Sequence, residues 1–460
     1  MKRAALAALL LLLDAGGAAA DQATAKQLAA KTLTDDWSYR FLEDLTTEVG
    51  QRLAGTEAQV RAARWAEARL KAAGFANVHQ ETFPMTGWER GVETARVVAP
   101  VPQNLAVTAL GDSVATPDTG IEAEIALFRT YAALLAAAPG SLAGKIAVVT
   151  QHMPRTEDGS GYGASFVIRG SGPSEAAKRG AVAYLLRSLG TDSARRPHTG
   201  QLDYAEDAPK IPAAALSNPD ADLLERLAAH GPVRVHLVLT PMSSPTAQSS
   251  NVVGEITGSS KPGEIVLIGG HLDSWDLGTG AIDDGAGMAI TAGAARLIGT
   301  LPRHPARTIR VVLFGAEERS YSGKAYAAAH QTDAGAIVLA AEADFGARRA
   351  YAIQLPPGIA KTGLGNDIGA AEATLGVFVD RAAAERSGSD VEDLHKLGVP
   401  VLSVRQDGSD YFDFHHTADD TFDKVDRNEL AQATAAWAAW VYLVADSDVD
   451  FRAATAKPAP

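Results

Sequence analysis

The sequence predicts an α/β protein with a mixed, mostly parallel central sheet flanked by helices and a second folding unit inserted into it. Three observations carry that reading. Residues 264–270, Glu-Ile-Val-Leu-Ile-Gly-Gly, have the length and β-branched content of a buried strand and lead into a small-residue segment of helical character. Beyond Asn251 the same rhythm recurs, with strands predicted at 308–314, 336–340 and 398–404 and helical stretches between them. Between these parts, from about Val101, the texture changes to short strands and helices broken by Pro, Gly and Asp, and at 460 residues the chain has room for two domains.

Taken in order, the chain opens on Lys2 and Arg3, an apolar run over 4–13, and small residues ending Ala18-Ala19-Ala20. That three-part pattern predicts an export signal over 1–20, cut after Ala20, and a secreted or periplasmic mature protein. The apolar run is too short to span a bilayer, and no later stretch reaches that length, so no membrane partner is expected. Val60, Ala63, Ala66 and Leu70 recur at helical spacing over 56–73, and Gly74 marks the stop. Just upstream, Arg52 to Thr56 reads equally as a helix entry or as part of a pocket wall.

The first part of the main domain is assigned to 21–104 and the inserted unit to 105–245. Within the insert, strands are predicted at 144–150, 211–217 and 233–240, a helix running into a strand at 175–187, and a helix at 220–230. His198 lies in one of its loops and reads as surface decoration. The polar run 241–250, Pro-Met-Ser-Ser-Pro-Thr-Ala-Gln-Ser-Ser, reads as a linker. The main domain resumes over 246–450, ends in an Ala- and Trp-rich helix at 428–445, and is followed by a tail at 451–460.

Apolar and charged fractions of 46% and 21% are those of an ordinary globular protein. Against 55 acidic residues stand 42 basic ones, a net charge of −13, which argues against nucleic acid and anionic membrane as partners. Cysteine is absent. Disulfides, thiolate metal ligands and a cysteine nucleophile are excluded together, so any metal must be held by His and carboxylate.

Four strand ends or loops offer such ligands. The 264–270 strand delivers His271 and Asp273, followed by Asp283 and Asp284; the next delivers Glu317 and Glu318; a third delivers Glu342 and Asp344; and the polar loop 411–421 carries Tyr411, His415 and His416. Each has a bland reading alone, as a buried structural His, a solvated acidic pair, a turn residue or a helix cap. Their convergence on one sheet edge predicts a metal centre. Hydrolysis of a peptide bond at neutral pH fits it: two cations about 3.5 to 4 Å apart acidify water and polarise the carbonyl, and a further carboxylate takes the proton.

The ordered motifs His-Leu-Asp-Ser-Trp-Asp-Leu-Gly-Thr-Gly-Ala-Ile-Asp-Asp-Gly, Ala-Glu-Glu, Glu-Ala-Asp and Tyr-Phe-Asp-Phe-His-His-Thr-Ala-Asp-Asp-Thr resemble the co-catalytic two-zinc exopeptidase family of aminopeptidases and glutamate carboxypeptidases. Its plasma glutamate carboxypeptidase (carboxypeptidase Q) branch is the nearest in motif. Phrases of the insert, such as Gly-Lys-Ile-Ala-Val-Val and Ile-Pro-Ala-Ala-Ala-Leu, resemble a protease-associated domain, which shapes or covers a substrate cleft. The resemblance implies the zinc exopeptidase fold and two zinc ions per chain, one held by His271 and Asp344, the other by Glu318 and His416, with Asp283 bridging. It implies Asp273 as the support of the His271 ring and Glu317 as the general base acting on a metal-bridging water. Many relatives carry Tyr just before the last His; His415 stands there, so His415 and Tyr411 are both candidates to stabilise the oxyanion. Asp276 could lie near the metals but reads first as a loop carboxylate.

The implied activity is hydrolysis of dipeptides or removal of terminal residues from short peptides, as an aminopeptidase or dipeptidase in preference to a carboxypeptidase. Alternatives are a receptor-like, non-enzymatic relative and a glutaminyl cyclase-like one-zinc transferase, against both of which the complete ligand set argues. Members of the resembling branch form homodimers, and the resemblance extends that expectation here.

Overall fold

The computed structural model of the protein describes residues 21–455. The export signal, its cleavage after Ala20 and the end of the tail lie outside the described residues.

Five strands form the central sheet, in the order Ala76–Glu89, Met242–Ile256, Arg307–Phe314, Lys261–His271 and Ile337–Glu342. Lys261–His271 runs parallel to both of its neighbours, whereas Met242–Ile256 is antiparallel to both of its own. The sheet is therefore mixed, and the expectation of a mostly parallel sheet holds only for the half that carries the site. That half is the one expected to be buried on both faces: Val266, Leu267 and Ile268 are fully enclosed. Helices Ala286–Ile298 and Arg427–Ala445 pack together beside it, the second burying Trp437 and Trp440. Parallel pairing in register sets His271 opposite Phe314 and Gly269 opposite Glu342, so three chain segments leave the sheet side by side.

Two expectations are corrected here. The polar run 241–250 is not a linker; it lies in the long strand Met242–Ile256, paired with Ala76–Glu89. A ladder exposed on its side chains needs no apolar periodicity, and Pro245 falls where the register shifts between Met85 and Gly87, so no ladder donor is demanded of it. Of the strand expected at 398–404, only Val401 reaches the central sheet, in a lone bridge to Ala340. Its continuation, Ser403–Gln406, joins a separate three-stranded sheet with Ala350–Gln354 and Phe378–Val379.

An eight-stranded mixed sheet forms the second unit. It takes in Glu93–Ala99 and Gln103–Leu105, ahead of the start expected at 105, because Glu93–Ala99 pairs with Arg234–Leu239. Its parallel centre, Ile125, Ile146, Val148, Leu185 and Ala214, is an apolar core of its own. Loops between its elements reach the central sheet's ligand-bearing edge. The helices expected there stand at Gly172–Lys178 and Asn218–Ala228, and the one expected over 56–73 stands at Glu57–Ala72.

Candidate metal centre

His271 ends its strand fully buried, with Nε2 3.1 Å from Asp283 Oδ1 and 3.5 Å from Asp344 Oδ1. Its Nδ1 lies 3.0 Å from the Asp273 carbonyl oxygen and 3.6 Å from that residue's carboxylate. A hydrogen on Nδ1 donated to that carbonyl leaves the Nε2 lone pair facing the carboxylates. The Asp273 side chain does a different task as well: its Oδ1 accepts from the Glu317 backbone N–H at 3.0 Å, tying two of the strand-end loops together.

Asp283 sits between two histidine groups. Its Oδ1 faces His271, and its Oδ2 is 3.1 Å from His416 Nε2 and 3.6 Å from His415 Nε2. Glu318 Oε2 lies 3.0 Å from His416 Nε2. Two ligand sets result, His271 with Asp283 and Asp344, and Asp283 with His415 and His416, each with its donor atoms within 4.8 Å of one another. Asp283 belongs to both. All five residues expected as metal ligands converge here, and His415, expected only as an oxyanion donor, joins the second set. Tyr411 donates its hydroxyl to Asp283 Oδ1 at 3.0 Å.

The donor set fits a divalent cation. Among the described residues, Asp283 Oδ2 and Glu318 Oε1 are buried without a hydrogen-bond partner, which is costly for a carboxylate unless a cation meets it. Imidazole nitrogen and carboxylate oxygen without thiolate suit zinc or a similar ion. Electrostatics agree: burial pushes the Glu318 carboxyl up to about 7, and although burial opposes it, the neighbouring histidines hold Asp283 well below the usual carboxylate range. His416 is raised to about 9 because the Glu318 and Asp283 charges outweigh its own burial. Such crowding of opposed, buried groups marks a functional site.

Glu317 stands at the wall of an open cavity of about 360 Å³ lined also by Asp283, Glu318, Asp344, His415 and His416. One oxygen accepts from Ser389 Oγ, and the other is 3.9 Å from His271 Nε2. Burial, with Asp344 and Glu318 nearby, raises this carboxyl well above the usual range.

Further residues brace the site. Arg52 is wholly buried and donates to the carbonyls of Leu272 at 2.6 Å, Thr279 at 2.5 Å and Gly280 at 2.9 Å, bracing the loop after His271. Of the two readings open for its segment, helix entry fits Thr56, which stands at the helix N-terminus, while Arg52 lies buried behind the loop and is not among the residues lining the cavity. Asp420 accepts from the backbone N–H groups of Ile282 at 2.6 Å and Asp283 at 3.2 Å. Asp284 caps, accepting from His271 N at 2.9 Å and Gly287 N at 3.0 Å. Asp276 stays away from the metal ligands in a bidentate pair with Arg90 at 2.8 Å. His198 is buried, not surface decoration: its ring bridges the His415 carbonyl and Asp192, each at 2.7 Å. Asp276, Asp284 and Asp420 lie inside the motifs, so a polar side chain there is a signal, whereas Arg52 and His198 lie outside them.

Known proteins resemble this one throughout. The model of peptidase family M28 matches residues 251–441. Carboxypeptidase Q of Bos taurus is 37% identical over 415 residues, covering 89% of this chain and 85% of its own. The crystal structure of a peptidase M28 precursor from Shewanella amazonensis superposes with a TM-score of 0.91 at 46% identity, covering 93% of this chain and 97% of that one. The zinc aminopeptidase of Bacillus subtilis shares the fold, with a TM-score of 0.65 at 17% identity over 90% of this chain and 96% of its own.

Proposed function

The chain belongs to peptidase family M28, and from that premise we propose that it is an exported zinc-dependent exopeptidase that hydrolyses dipeptides or removes terminal residues from short peptides. The observation that carries the reading is Asp283 standing between two histidine groups with Glu317 on the cavity wall beside them.

His271, Asp283 and Asp344 would hold one zinc ion, and Asp283, Glu318 and His416 a second. When bound, zinc supplies the Lewis acidity that lowers the pKa of water and polarises the scissile carbonyl. The residues of the chain do the rest. Glu317 takes a proton from the attacking water and returns it to the leaving amine nitrogen as the C–N bond breaks. Ser389 and the Asp273–Glu317 backbone contact fix where that carboxylate points. Arg52, Asp420 and Thr199 set the loops and the ring of His416, whose Nδ1 lies 3.2 Å from the Thr199 carbonyl. The second unit is read as a protease-associated domain that walls the cleft, since Asp158, Tyr162 and Arg169 from it line the cavity.

A screen of free dipeptides against N-acetylated and C-amidated forms, with zinc added, tests the activity. Cleavage of free dipeptides that N-acetylation abolishes supports aminopeptidase or dipeptidase action. The carboxypeptidase reading, which the carboxypeptidase Q relatives favour, requires instead that C-amidation abolish cleavage and N-acetylation spare it. Glu317→Gln should lose about 100-fold or more in kcat while retaining its metal by elemental analysis; near wild-type turnover would remove Glu317 from its role.

A further inference from the structure

Arg169 is a guanidinium buried to 3% exposure that, among the described residues, has no carboxylate partner. It reaches the cavity from the second unit, on the helix Ser160–Gly170. Its Nε donates to the Gln201 carbonyl at 3.1 Å, Nη1 to the Thr199 carbonyl at 3.3 Å, and Nη2 to the Tyr162 hydroxyl at 2.6 Å. Nη1 also lies 3.5 Å from His416 Nδ1, and a buried cation with no carboxylate against it is expensive unless an anion approaches.

Tyr162 is the group through which it would act on the cavity. The ring is fixed, stacked on Phe412 at 4.8 Å and edge-on to His415 at 5.0 Å, with Arg169 over its face. Its oxygen accepts from Arg169, and among the described residues nothing takes its hydrogen. One O–H donor is thus unspent at the wall of the cavity that also holds Asp283, Glu318 and His416. Tyr411 and His415, the two residues expected as oxyanion donors, are turned to the ligand sets instead. Tyr411 donates to Asp283, and His415 lies face to face with His416 at 3.5 Å with its Nε2 turned to Asp283 Oδ2 at 3.6 Å, inside the second ligand set.

We infer that Tyr162, held and polarised by Arg169, donates a hydrogen bond to the anionic oxygen that forms when the scissile carbonyl is attacked. In that step a C–O bond forms to water, the carbonyl π pair moves onto oxygen, and the Tyr162 proton is shared with that oxygen but not transferred. The inference rests on the peptidase reading above. It makes the second unit a supplier of a catalytic residue as well as a wall.

The test is Tyr162→Phe in the zinc-loaded full chain, a change that keeps the ring packing. With a dipeptide, kcat should fall about 100-fold or more, with KM, metal content and unfolding temperature near wild type. Affinity for a phosphinic dipeptide analogue, a tetrahedral mimic, should fall by the same factor as kcat/KM. Arg169→Lys, which keeps the charge but lacks the planar fork that reaches Gln201, Thr199 and Tyr162 from separate nitrogens, should show a smaller loss in the same parameters. Unchanged kcat in Tyr162→Phe overturns the inference and leaves the peptidase reading intact. A loss confined to KM, and only for peptides with a free carboxylate, also overturns it and makes the dyad a carboxylate clamp. Wild-type protein that cleaves no peptide overturns both readings.

Discussion

Asp420 holds Asp283 from behind, through its backbone. Its two oxygens accept from the N–H groups of Ile282 and Asp283, so the peptide that carries the shared carboxylate is set by a residue 137 positions further along the chain. Asp420→Asn keeps the shape but replaces one acceptor with an N–H₂ group facing a backbone N–H. The loop must then shift, and the carboxylate of Asp283 with it. Outer contacts of this kind typically alter metal affinity 10- to 100-fold. Competition against a chelating dye should therefore show Asp420→Asn releasing zinc at about 10-fold lower chelator concentration; wild-type retention would mean that Asp283 is placed by its own turn alone.

At the scale of elements, the helix Gly363–Glu372 ends in a carboxyl that has no function in the site. Glu372 is fully buried, both oxygens lack a hydrogen-bond partner among the described residues, and burial raises its pKa well above the ordinary value of 4.5. The sign follows directly. Above about pH 4.5 the unfolded chain releases this proton while the folded chain keeps it, so the folded state binds more protons and stability falls with rising pH, by up to about 1.4 kcal/mol per unit until the folded pKa is reached. Glu372→Gln removes that dependence. Its stability relative to wild type, measured by urea unfolding, should rise between pH 5 and pH 8; a constant difference would show Glu372 to be paired in solution. Legibility in the sequence divides along the same line of local against distant causes. Lys261–His271 was readable because burial on both faces writes an unbroken apolar run, and Glu57–Ala72 because one buried face writes a helical period. Met242–Ile256 was not, because its ladder is satisfied by backbone pairing and leaves the side chains polar. The residue types of the site were readable from their motifs, whereas Arg52 and His198 were not: their partners lie about 220 residues away, and no local pattern records such a contact.

For the molecule as a whole, the two sheets meet at the loop that carries His415 and His416. His416 adopts a left-handed backbone, φ 61°, which a non-glycine residue holds only when its surroundings impose it. The second unit imposes it: Thr199 N donates to the His416 carbonyl at 3.0 Å, Thr191 N to the Phe412 carbonyl at 3.0 Å, and His198 to the His415 carbonyl. Both nitrogens of His198 face oxygens, and its contact with Asp192 holds that carboxyl, despite burial, below the usual carboxylate range. Metal binding and the docking of the second unit are then linked through one loop. A ligand at about 100 times its Kd adds about 2.7 kcal/mol to the folded state, so a chelator should lower the unfolding temperature of the wild-type protein. His198→Ala frees the loop and leaves Asp192 without its partner. The variant should unfold at lower temperature than wild type, and the drop caused by chelator should shrink, because a loop that has relaxed binds zinc more weakly. An undiminished chelator effect in His198→Ala would show the ligand loop to be independent of the second unit, and the two sheets to be joined by packing alone.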